Sequence, residues 1–248
     1  MLMVLPNSSS SSPPPHDYVL VAETPNMYNS NAVTSFIEQE TRRPNKQWIT
    51  SIIAGDQERE QVIIRTEDFV MLPDTERVNR YWRTPRGTQQ QQLALRHHHH
   101  QPQRSPKQSV HPQRMTLNWL SIVNDLSVRT LRDLRGKHVP MLRCMLASCM
   151  HAVETYTGIP RDQVMAYVHY PPSVYQLHVH FSYPYGQYCH RDAYRVHSLE
   201  GIINNLEIDP EYYAKSTLHL AMYRQSPHYQ ALMDHPSSSE SEAKKETM

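Results

Sequence analysis

Apolar and polar residues alternate over residues 175 to 181, which read Tyr-Gln-Leu-His-Val-His-Phe. Successive side chains of a β-strand point to opposite faces, so this run predicts a strand with Gln176, His178 and His180 on one face. The other face is expected to pack into a core and carries Leu177, Val179 and Phe181. Two imidazoles and an amide form a polar row that a purely structural strand does not need, so this row is the first candidate for chemistry.

The same patterning predicts the other elements. Apolar spacings of three and four residues predict helices over 44–54, 138–157 and 192–206. Runs rich in β-branched and aromatic residues predict strands over 61–65, 69–72, 164–170, 174–183 and 216–223. Ser226 and Pro227 predict a last short helix, and Pro171-Pro172-Ser173 predicts a tight turn between two strands. Hairpins with helices between them predict an α+β fold with a mainly antiparallel sheet.

Low-complexity segments divide the chain. A polar stretch with runs of glutamine and histidine cannot bury enough apolar area to offset chain entropy, so we expect it to be an inserted loop. Its four histidines at 97–100 are more typical of a flexible polar repeat than of a metal site. The expected organisation is a disordered or irregular segment over 1–34, one domain over 35–234 interrupted by the loop at 83–114, and a disordered tail over 235–248.

Composition limits the function classes. The 248-residue chain has a net charge of +1, which excludes the strong positive field typical of proteins that bind long nucleic acids but permits a short nucleotide ligand. The three cysteines, Cys144, Cys149 and Cys189, lack paired spacing, which argues against a disulfide framework and favours the cytosol or the nucleus. No apolar stretch approaches the roughly 20 residues of a membrane span.

Paired histidines on one strand face permit phosphoryl chemistry that needs no metal. One imidazole can attack phosphorus to form a phosphoramidate, and a second can protonate the leaving oxygen. His169 on the preceding predicted strand and Ser173 in the turn are placed to face the same pocket. By spacing alone, a His-x-His pair is more often a metal pair or ordinary polar surface, although Cys189 and His190 complete no recognised zinc pattern.

Residues 167–181 resemble the histidine-triad signature of scavenger mRNA decapping enzymes. Further stretches that resemble this family are 47–48, 69–74, 131–134, 137–142 and 205–210. The similarity covers roughly residues 40–82 and 116–234. The order of these matches along the chain is more specific than the short histidine motif.

The resemblance implies a histidine-triad-like domain that hydrolyses 7-methylguanosine cap dinucleotides or short capped RNA left by 3′-to-5′ mRNA decay, without a cofactor. His178 holds the place of the nucleophile, which would attack the phosphate next to 7-methylguanosine and release 7-methyl-GMP, and His180 and Gln176 complete the row. Trp48 would stack on the cationic methylated base. The other implied ligands are Glu58 and Asp74 for the base and His169, Ser173 and Arg195 for the phosphates. Without the resemblance, Trp48 is interpreted as a core residue and the charged ligands as solvated surface.

Two substitutions depart from the family's pattern. Gln176 stands where the triad has its first histidine and cannot carry an imidazolium charge, and Glu76 stands where a phosphate-binding lysine is usual. The family's N-terminal half, which helps to form the dimer, is expected to be largely missing, so a homodimer is left open. Three functions remain: a cap hydrolase with weakened turnover, a paralogue that binds capped nucleotides without efficient cleavage, or a histidine-triad hydrolase of other nucleotides.

Overall fold

The computed structural model describes residues 17–56, 61–74, 117–183 and 193–234. Its strands are β1 Tyr18–Glu23, β2 Ile64–Arg65, β3 Phe69–Pro73, β4 Leu117–Val123, β5 Met165–His169, β6 His178–Tyr183, β7 Val196–Ser198 and β8 Leu218–Tyr223. Its helices are α1 Pro25–Tyr28, α2 Asn31–Arg42, α3 Trp48–Ala54, α4 Val139–Thr157, α5 Leu199–Ile208, α6 Tyr212–Lys215 and α7 Pro227–Met233. Single 3-10 turns lie at Pro44–Lys46, Leu131–Asp133, Gly136–His138 and Arg161–Gln163. No helix within these ranges combines the length and apolar character needed to span a membrane.

The main sheet has six strands in the order β2-β3-β4-β6-β5-β7. Each pair of neighbours in it is antiparallel. Strands β1 and β8 form a second, two-stranded antiparallel sheet, so the first and last strands of the described chain are partners. The predicted α+β fold with a mostly antiparallel sheet is confirmed.

The two faces of the main sheet pack against different apolar clusters. One face shares the main core with α4 and contributes Phe69, Met71, Val179 and Phe181. The opposite face packs against Ile49 and Ile52 of α3 and contributes Val70, Leu72 and Ile122. Burying each of these side chains is worth about 1.5–3 kcal/mol, so α3 is held firmly on its side of the sheet.

Glycine residues end the two helices whose limits the sequence predicts well. Helix α4 ends at Gly158, which has φ 73°, and α3 ends at Gly55, which has φ 82°. Both values lie in the left-handed region, where glycine avoids the steric cost of a Cβ. The helix predicted over 138–157 is confirmed, and the one predicted over 44–54 begins with a 3-10 turn at Pro44–Lys46.

The strand predicted over 174–183 begins only at His178. Residues 170–177 form an irregular loop in place of the predicted tight turn. Within it, Leu177 N donates to Val128 O and Leu177 O accepts from Val123 N, each at 3.0 Å. The Leu177 carbonyl thus bonds to the end of β4, but its N–H bonds to the loop after β4, and the chain before it leaves the sheet. The apolar pattern of the segment does not reveal these contacts.

The helix predicted over 192–206 is shorter at its start and begins at Leu199. Ser198 caps it, because its side chain accepts a hydrogen bond from Gly201 N at 3.1 Å. The residues before the cap, Val196–Ser198, pair with β5 as an edge strand. Apolar periodicity does not separate this strand from the helix, since Val196 fits both patterns.

Residues 18–34 form regular elements, unlike the irregular segment expected over 1–34. Strand β1 is stabilised by its pairing with β8, a long-range contact that local composition cannot indicate. Ser30 caps α2 by accepting from Val33 N at 3.3 Å. The expected loop at 83–114 and tail at 235–248 lie outside the described residues, as do residues 1–16.

Candidate active site

His178 and His180 lie side by side on β6 and face the same side of the main sheet as α3. Directly opposed residues of antiparallel strands share a face, and His178 is opposite Ile122 while His180 is opposite Leu120. The two imidazole centroids are 5.1 Å apart. The predicted alternation is confirmed, because the main core contains Leu177, Val179 and Phe181. The polar row is buried rather than open, since only 7% of His178 and 2% of His180 are exposed.

The backbone carbonyl of Gln176 fixes the tautomer of His178. The carbonyl oxygen lies 2.8 Å from Nδ1 of His178. A carbonyl only accepts hydrogen bonds, so Nδ1 carries the proton in this contact. In the neutral ring Nε2 then carries the lone pair, which makes it the atom able to attack phosphorus.

The side chain of Gln176 holds the chain that leaves β4. Its Nε2 donates to Val123 O at 2.6 Å and to Asp125 O at 3.0 Å. Both amide protons are therefore used on backbone carbonyls, and the residue is 5% exposed. A neutral imidazole has one N–H, so a histidine at this position could not make both contacts.

His169 on β5 is hydrogen-bonded to His180. Its Nδ1 lies 3.1 Å from Nε2 of His180, and the ring centroids are 4.6 Å apart. Tyr167 stacks on His180, with centroids 5.2 Å apart and planes 17° apart. Tyr167 is also opposite His180 in the sheet, so continuing this register places His169 beside His178. The three histidines form one connected group.

A narrow cleft lies next to this group. The residues that line it include Arg129, Pro172, His169, Gln176 and His178. The structure thus brings together four of the predicted site residues, three in the cleft wall and His180 in contact with two of them. Within the described ranges, no three metal-ligating side chains surround a common point.

Arg129 is a cleft residue that the sequence analysis missed. It is half-buried, and its backbone N donates to Asp133 Oδ2 at 2.9 Å, which fixes this segment beside the cleft. A guanidinium at such a wall favours a phosphate ligand. In the sequence, Arg129 is distinguished only by its position just before residues 131–134, one of the stretches that resemble the family. The fold brings this segment next to β6, and the local sequence does not indicate that.

Trp48 lies at the first turn of α3 and is half-buried. It packs against the α3-side cluster that contains Ile122, the residue opposite His178. Val174 of the loop before β6 packs against the same cluster. The indole therefore lies on the same face of the sheet as the histidines. This position agrees with a core contact, which Trp48 was expected to make without the resemblance, and with a place beside the site, which the resemblance implies.

Ser173 lies within the loop over 170–177, and Arg195 is hydrogen-bonded to the first residue of that loop. Ser173 is exposed, and its carbonyl accepts from Lys46 Nζ at 2.9 Å, which joins this loop to the turn before α3. Arg195 is half-buried, and its carbonyl accepts from Tyr170 N at 2.8 Å. These two predicted phosphate ligands thus lie in, or in contact with, the loop that follows His169.

Asp74 lies on the histidine face but away from the cleft. Its backbone N donates to Asn118 O at 2.8 Å, and its Oδ2 accepts from Asn118 Nδ2 at 3.0 Å. Asn118 is opposite Ser182, four residues beyond His178 on β6. That separation is about 13 Å along the strand. The remaining predicted base ligand, Glu58, lies outside the described residues, as does Glu76.

A buried ion pair holds the start of the loop over 170–177 through Tyr170. Glu23 is 0% exposed, and its Oε1 accepts from Arg132 Nε at 2.9 Å and from Tyr170 OH at 2.6 Å. Arg132 also donates to Glu23 O at 2.7 Å and to Tyr213 O at 3.0 Å. Burial raises the pKa of Glu23, and the nearby Arg132 charge opposes that rise. The pair connects β1 to the residue that begins this loop.

His228 of α7 holds the same loop near its end. Its Nδ1 lies 3.2 Å from Tyr175 OH, its ring stacks on Phe36 at 5.4 Å, and its Nε2 is 3.9 Å from Oε2 of Glu23. Burial lowers the pKa of His228 to about 4. Glu23 alone would favour the charged ring, but its carboxylate is already paired with Arg132, so the effect of burial on the pKa of His228 dominates. Neutral His228 therefore anchors the residue before Gln176.

A family model described as "Scavenger mRNA decapping enzyme C-term binding" matches residues 102–190. The match includes His169, Gln176 and His178, which line the cleft. Trp48 lies before the matched segment. The family comparison therefore concerns the same part of the chain that forms the connected histidines.

Proteins named m7GpppX diphosphatase are similar to a larger part of the chain. The protein of Rattus norvegicus is 28% identical over 220 residues, which are 87% of this chain and 55% of the relative. The protein of Homo sapiens is 27% identical over 215 residues, 85% of this chain and 53% of the relative. That of Caenorhabditis elegans is 38% identical over 100 residues, 40% of this chain and 32% of the relative. The chain spans about half the length of the mammalian relatives.

Proposed function

We propose, from the premise that this chain belongs to the scavenger mRNA decapping enzyme family, that it hydrolyses 7-methylguanosine cap dinucleotides or short capped RNA. The name shared by its relatives supports cap hydrolysis as the reaction. We assign the reaction to the cleft that is lined by the end of β5 and the start of β6, in a domain of the histidine-triad type. The 7-methyl-GMP half of the cap is the expected product that retains the methylated base.

The observation that carries this proposal is the contact between His178 Nδ1 and the carbonyl of Gln176 at 2.8 Å. It supports attack by Nε2, because the proton is held on the other ring nitrogen. Attack on the phosphate next to 7-methylguanosine breaks the bond to the bridging oxygen and forms a phosphoramidate in which His178 carries 7-methyl-GMP. The rest of the molecule leaves as a nucleoside diphosphate. Water then attacks the same phosphorus, which releases 7-methyl-GMP and restores the imidazole.

The phosphates of the cap are assigned to the basic and polar groups around the cleft. Arg129 lines the cleft with His169, and Ser173 and Arg195 lie in, or in contact with, the adjoining loop. Guanidinium groups form charge-assisted hydrogen bonds with phosphate oxygens and balance part of the triphosphate charge. Arg129 thus supplies positive charge on a chain where glutamate replaces the family's usual lysine at position 76.

The methylated base is assigned to Trp48. Its indole lies on the histidine face and is half-buried, which supports one face of the ring on the apolar cluster. A cationic purine favours an aromatic partner through stacking and cation–π attraction. Because the ribose separates base from phosphate, the base ligands need not line the cleft, and Glu58 and Asp74 remain candidates for the guanine edge.

One observation favours a second function, cap binding without efficient cleavage. The imidazoles of His178 and His180 are almost fully buried, and Gln176 uses its amide on the backbone rather than on a ligand. A chain with this site would hold a capped nucleotide and turn it over slowly. A histidine-triad hydrolase of other nucleotides is the third candidate, and the position of Trp48 on the histidine face argues against it.

A product assay separates these functions. The purified chain is incubated with a methylated capped dinucleotide and a chelator, beside the variants His178→Asn and His219→Asn, the latter an exposed histidine of β8. We expect 7-methyl-GMP from the unmodified chain and from His219→Asn, and none from His178→Asn. Cap-analogue binding without turnover above His178→Asn would support the second function. Equal turnover of an unmethylated dinucleotide would support the third.

A further inference from the structure

We propose that His169 is a catalytic residue, the proton donor to the leaving nucleoside diphosphate, and that His180 is the positioning residue that orients it. This role rests on the hydrolytic function proposed above and goes beyond the phosphate contact that the family resemblance implies for His169. The juxtaposition that carries it is the 3.1 Å contact between His169 Nδ1 and His180 Nε2 at the wall of the cleft.

Gln176 and His178 are unsuited to this task. An amide does not release a proton at neutral pH, and both protons of the Gln176 amide are donated to backbone carbonyls at 2.6 and 3.0 Å. His178 is committed to attack through Nε2, while its Nδ1 proton is directed to the Gln176 carbonyl, away from phosphorus. The leaving oxygen must therefore meet another acid.

His169 and His180 differ in how deeply they are buried, and this difference assigns them different roles. His169 is half-buried and lines the cleft, so part of this residue is accessible to a ligand. His180 is 2% exposed, stacked on Tyr167 and hydrogen-bonded through Nε2 to His169. A ring held in this way can orient a neighbour but is poorly placed to touch a ligand itself.

The pairing also determines which nitrogen of His169 can act. A hydrogen bond between two imidazoles needs a proton on one nitrogen and a lone pair on the other. We assign a proton to Nδ1 of His169 and the lone pair to Nε2 of His180, and we assign the second, transferable proton to Nε2 of His169. Among the described residues, the charged groups that adjoin His169 are Arg129 in the same cleft and Arg195 beside the loop that follows it.

The resulting step balances in atoms and charge. Nε2 of His178 forms a bond to phosphorus as the bond from phosphorus to the bridging oxygen breaks. The bonding pair goes to the leaving oxygen, which takes the Nε2 proton of the His169 imidazolium. In the second half, His169 accepts a proton from the attacking water, whose oxygen displaces His178 and is found in 7-methyl-GMP.

A leaving-group series tests this assignment. Aryl esters of 7-methyl-GMP with phenols of rising pKa are turned over by the unmodified chain and by His169→Gln, with His151→Gln as an exposed-histidine control. We expect His169→Gln to lose about 10²-fold or more in kcat on the most basic leaving groups and about tenfold or less on the most acidic, a steeper dependence than in the unmodified chain. A parallel loss across the series, or a change confined to KM, would assign His169 to phosphate binding only and overturn the proposal.

The pH–rate profile of the capped dinucleotide gives a readout that a purely structural role would not move. The unmodified chain is expected to lose kcat as rising pH removes the proton that His169 donates, and His169→Gln is expected to lack that descending limb. His180→Asn should move the limb to lower pH while cap-analogue affinity and the unfolding transition stay within about twofold and a few degrees. An identical limb in all three proteins would contradict the assignment. Failure of the unmodified chain to cleave any ester would instead overturn the hydrolytic function and this role together.

Discussion

Nδ1 of His178 lies 2.8 Å from the carbonyl oxygen of Gln176, so the residue that departs from the triad still orients the imidazole that follows it. This contact is made by the backbone and does not depend on which side chain occupies position 176. The side chain has a separate role, because its amide joins Val123 and Asp125 to the loop that leads into β6. Loss of the first histidine therefore removes a charge without removing the support of His178.

We expect Gln176→Leu to destabilise the fold and lower turnover. The substitution leaves two backbone carbonyls without their amide partner, which costs about 1–3 kcal/mol of unfolding free energy. Urea unfolding measures this loss, with Gln230→Leu as the control, since that exposed amide makes its 2.7 Å bond to Arg224 O at the surface. A destabilisation no larger than in Gln230→Leu would show that the Gln176 contacts contribute little.

Replacing Trp48 should change ligand preference more than stability. The indole is half-buried on the α3-side cluster, so Trp48→Ala removes only part of a core contact but the whole stacking surface. We expect the variant to bind methylated and unmethylated guanine nucleotides equally, while Trp48→Phe keeps a reduced preference for the methylated form. Titration with 7-methyl-GDP and GDP measures both affinities. An unmodified chain that already binds the two nucleotides equally would rule out Trp48 as the base platform.

The ion pair of Glu23 and Arg132 should be essential to the fold. Glu23→Gln leaves the guanidinium buried without its carboxylate, and such changes cost about 3–5 kcal/mol. A matched control is Glu207→Gln, which breaks a contact with Arg143 in which both side chains are substantially exposed. We expect that control to cost less than about 1 kcal/mol in the same unfolding experiment. Similar losses in the two variants would contradict a structural role for the buried pair.

Acid should weaken the fold through His228. Its pKa is about 4 in the folded chain, below the 6.5 of an unperturbed histidine, so the unfolded chain binds the proton more readily between these values. Stability from this group is present above pH 6.5 and is lost as pH falls toward 4, by about 2–3 kcal/mol at pH 4.5. His228→Phe should flatten the pH dependence of unfolding in that window, whereas His219→Phe should leave it unchanged. An unaltered dependence in His228→Phe would mean that other groups cause the acid loss.

Local patterns predicted those elements whose limits are set by neighbouring residues. The period-2 run from Gln176 to Phe181 identified the buried and histidine faces correctly, because the side-chain alternation of a strand is local. The long amphipathic helix was predicted almost to its last residue, since Gly158 ends it. The tight turn predicted before the histidines was wrong, because Leu177 bonds to Val123 at the end of β4 and to Val128 in the loop that follows, and both are distant in sequence.

Contacts between remote segments explain what the sequence left unpredicted. Arg129 reaches the cleft only through the fold, and the pairing of β1 with β8 joins the two ends of the described chain. The contact between His169 and His180 follows from the β5–β6 register, which the predicted hairpin of these two strands does not specify. Buried Glu23 has no apolar signature, so its partner Arg132 emerges only from the structure.

The most direct test of the central claim is to trap the covalent intermediate on His178. The unmodified chain is mixed with a capped dinucleotide, quenched within one turnover under alkaline conditions that preserve phosphohistidine, and digested for mass spectrometry. We predict a 7-methyl-GMP adduct on the peptide that contains His178, absent from His178→Asn together with the turnover. Turnover that persists in His178→Asn, or an adduct that maps to a different residue, would contradict the account.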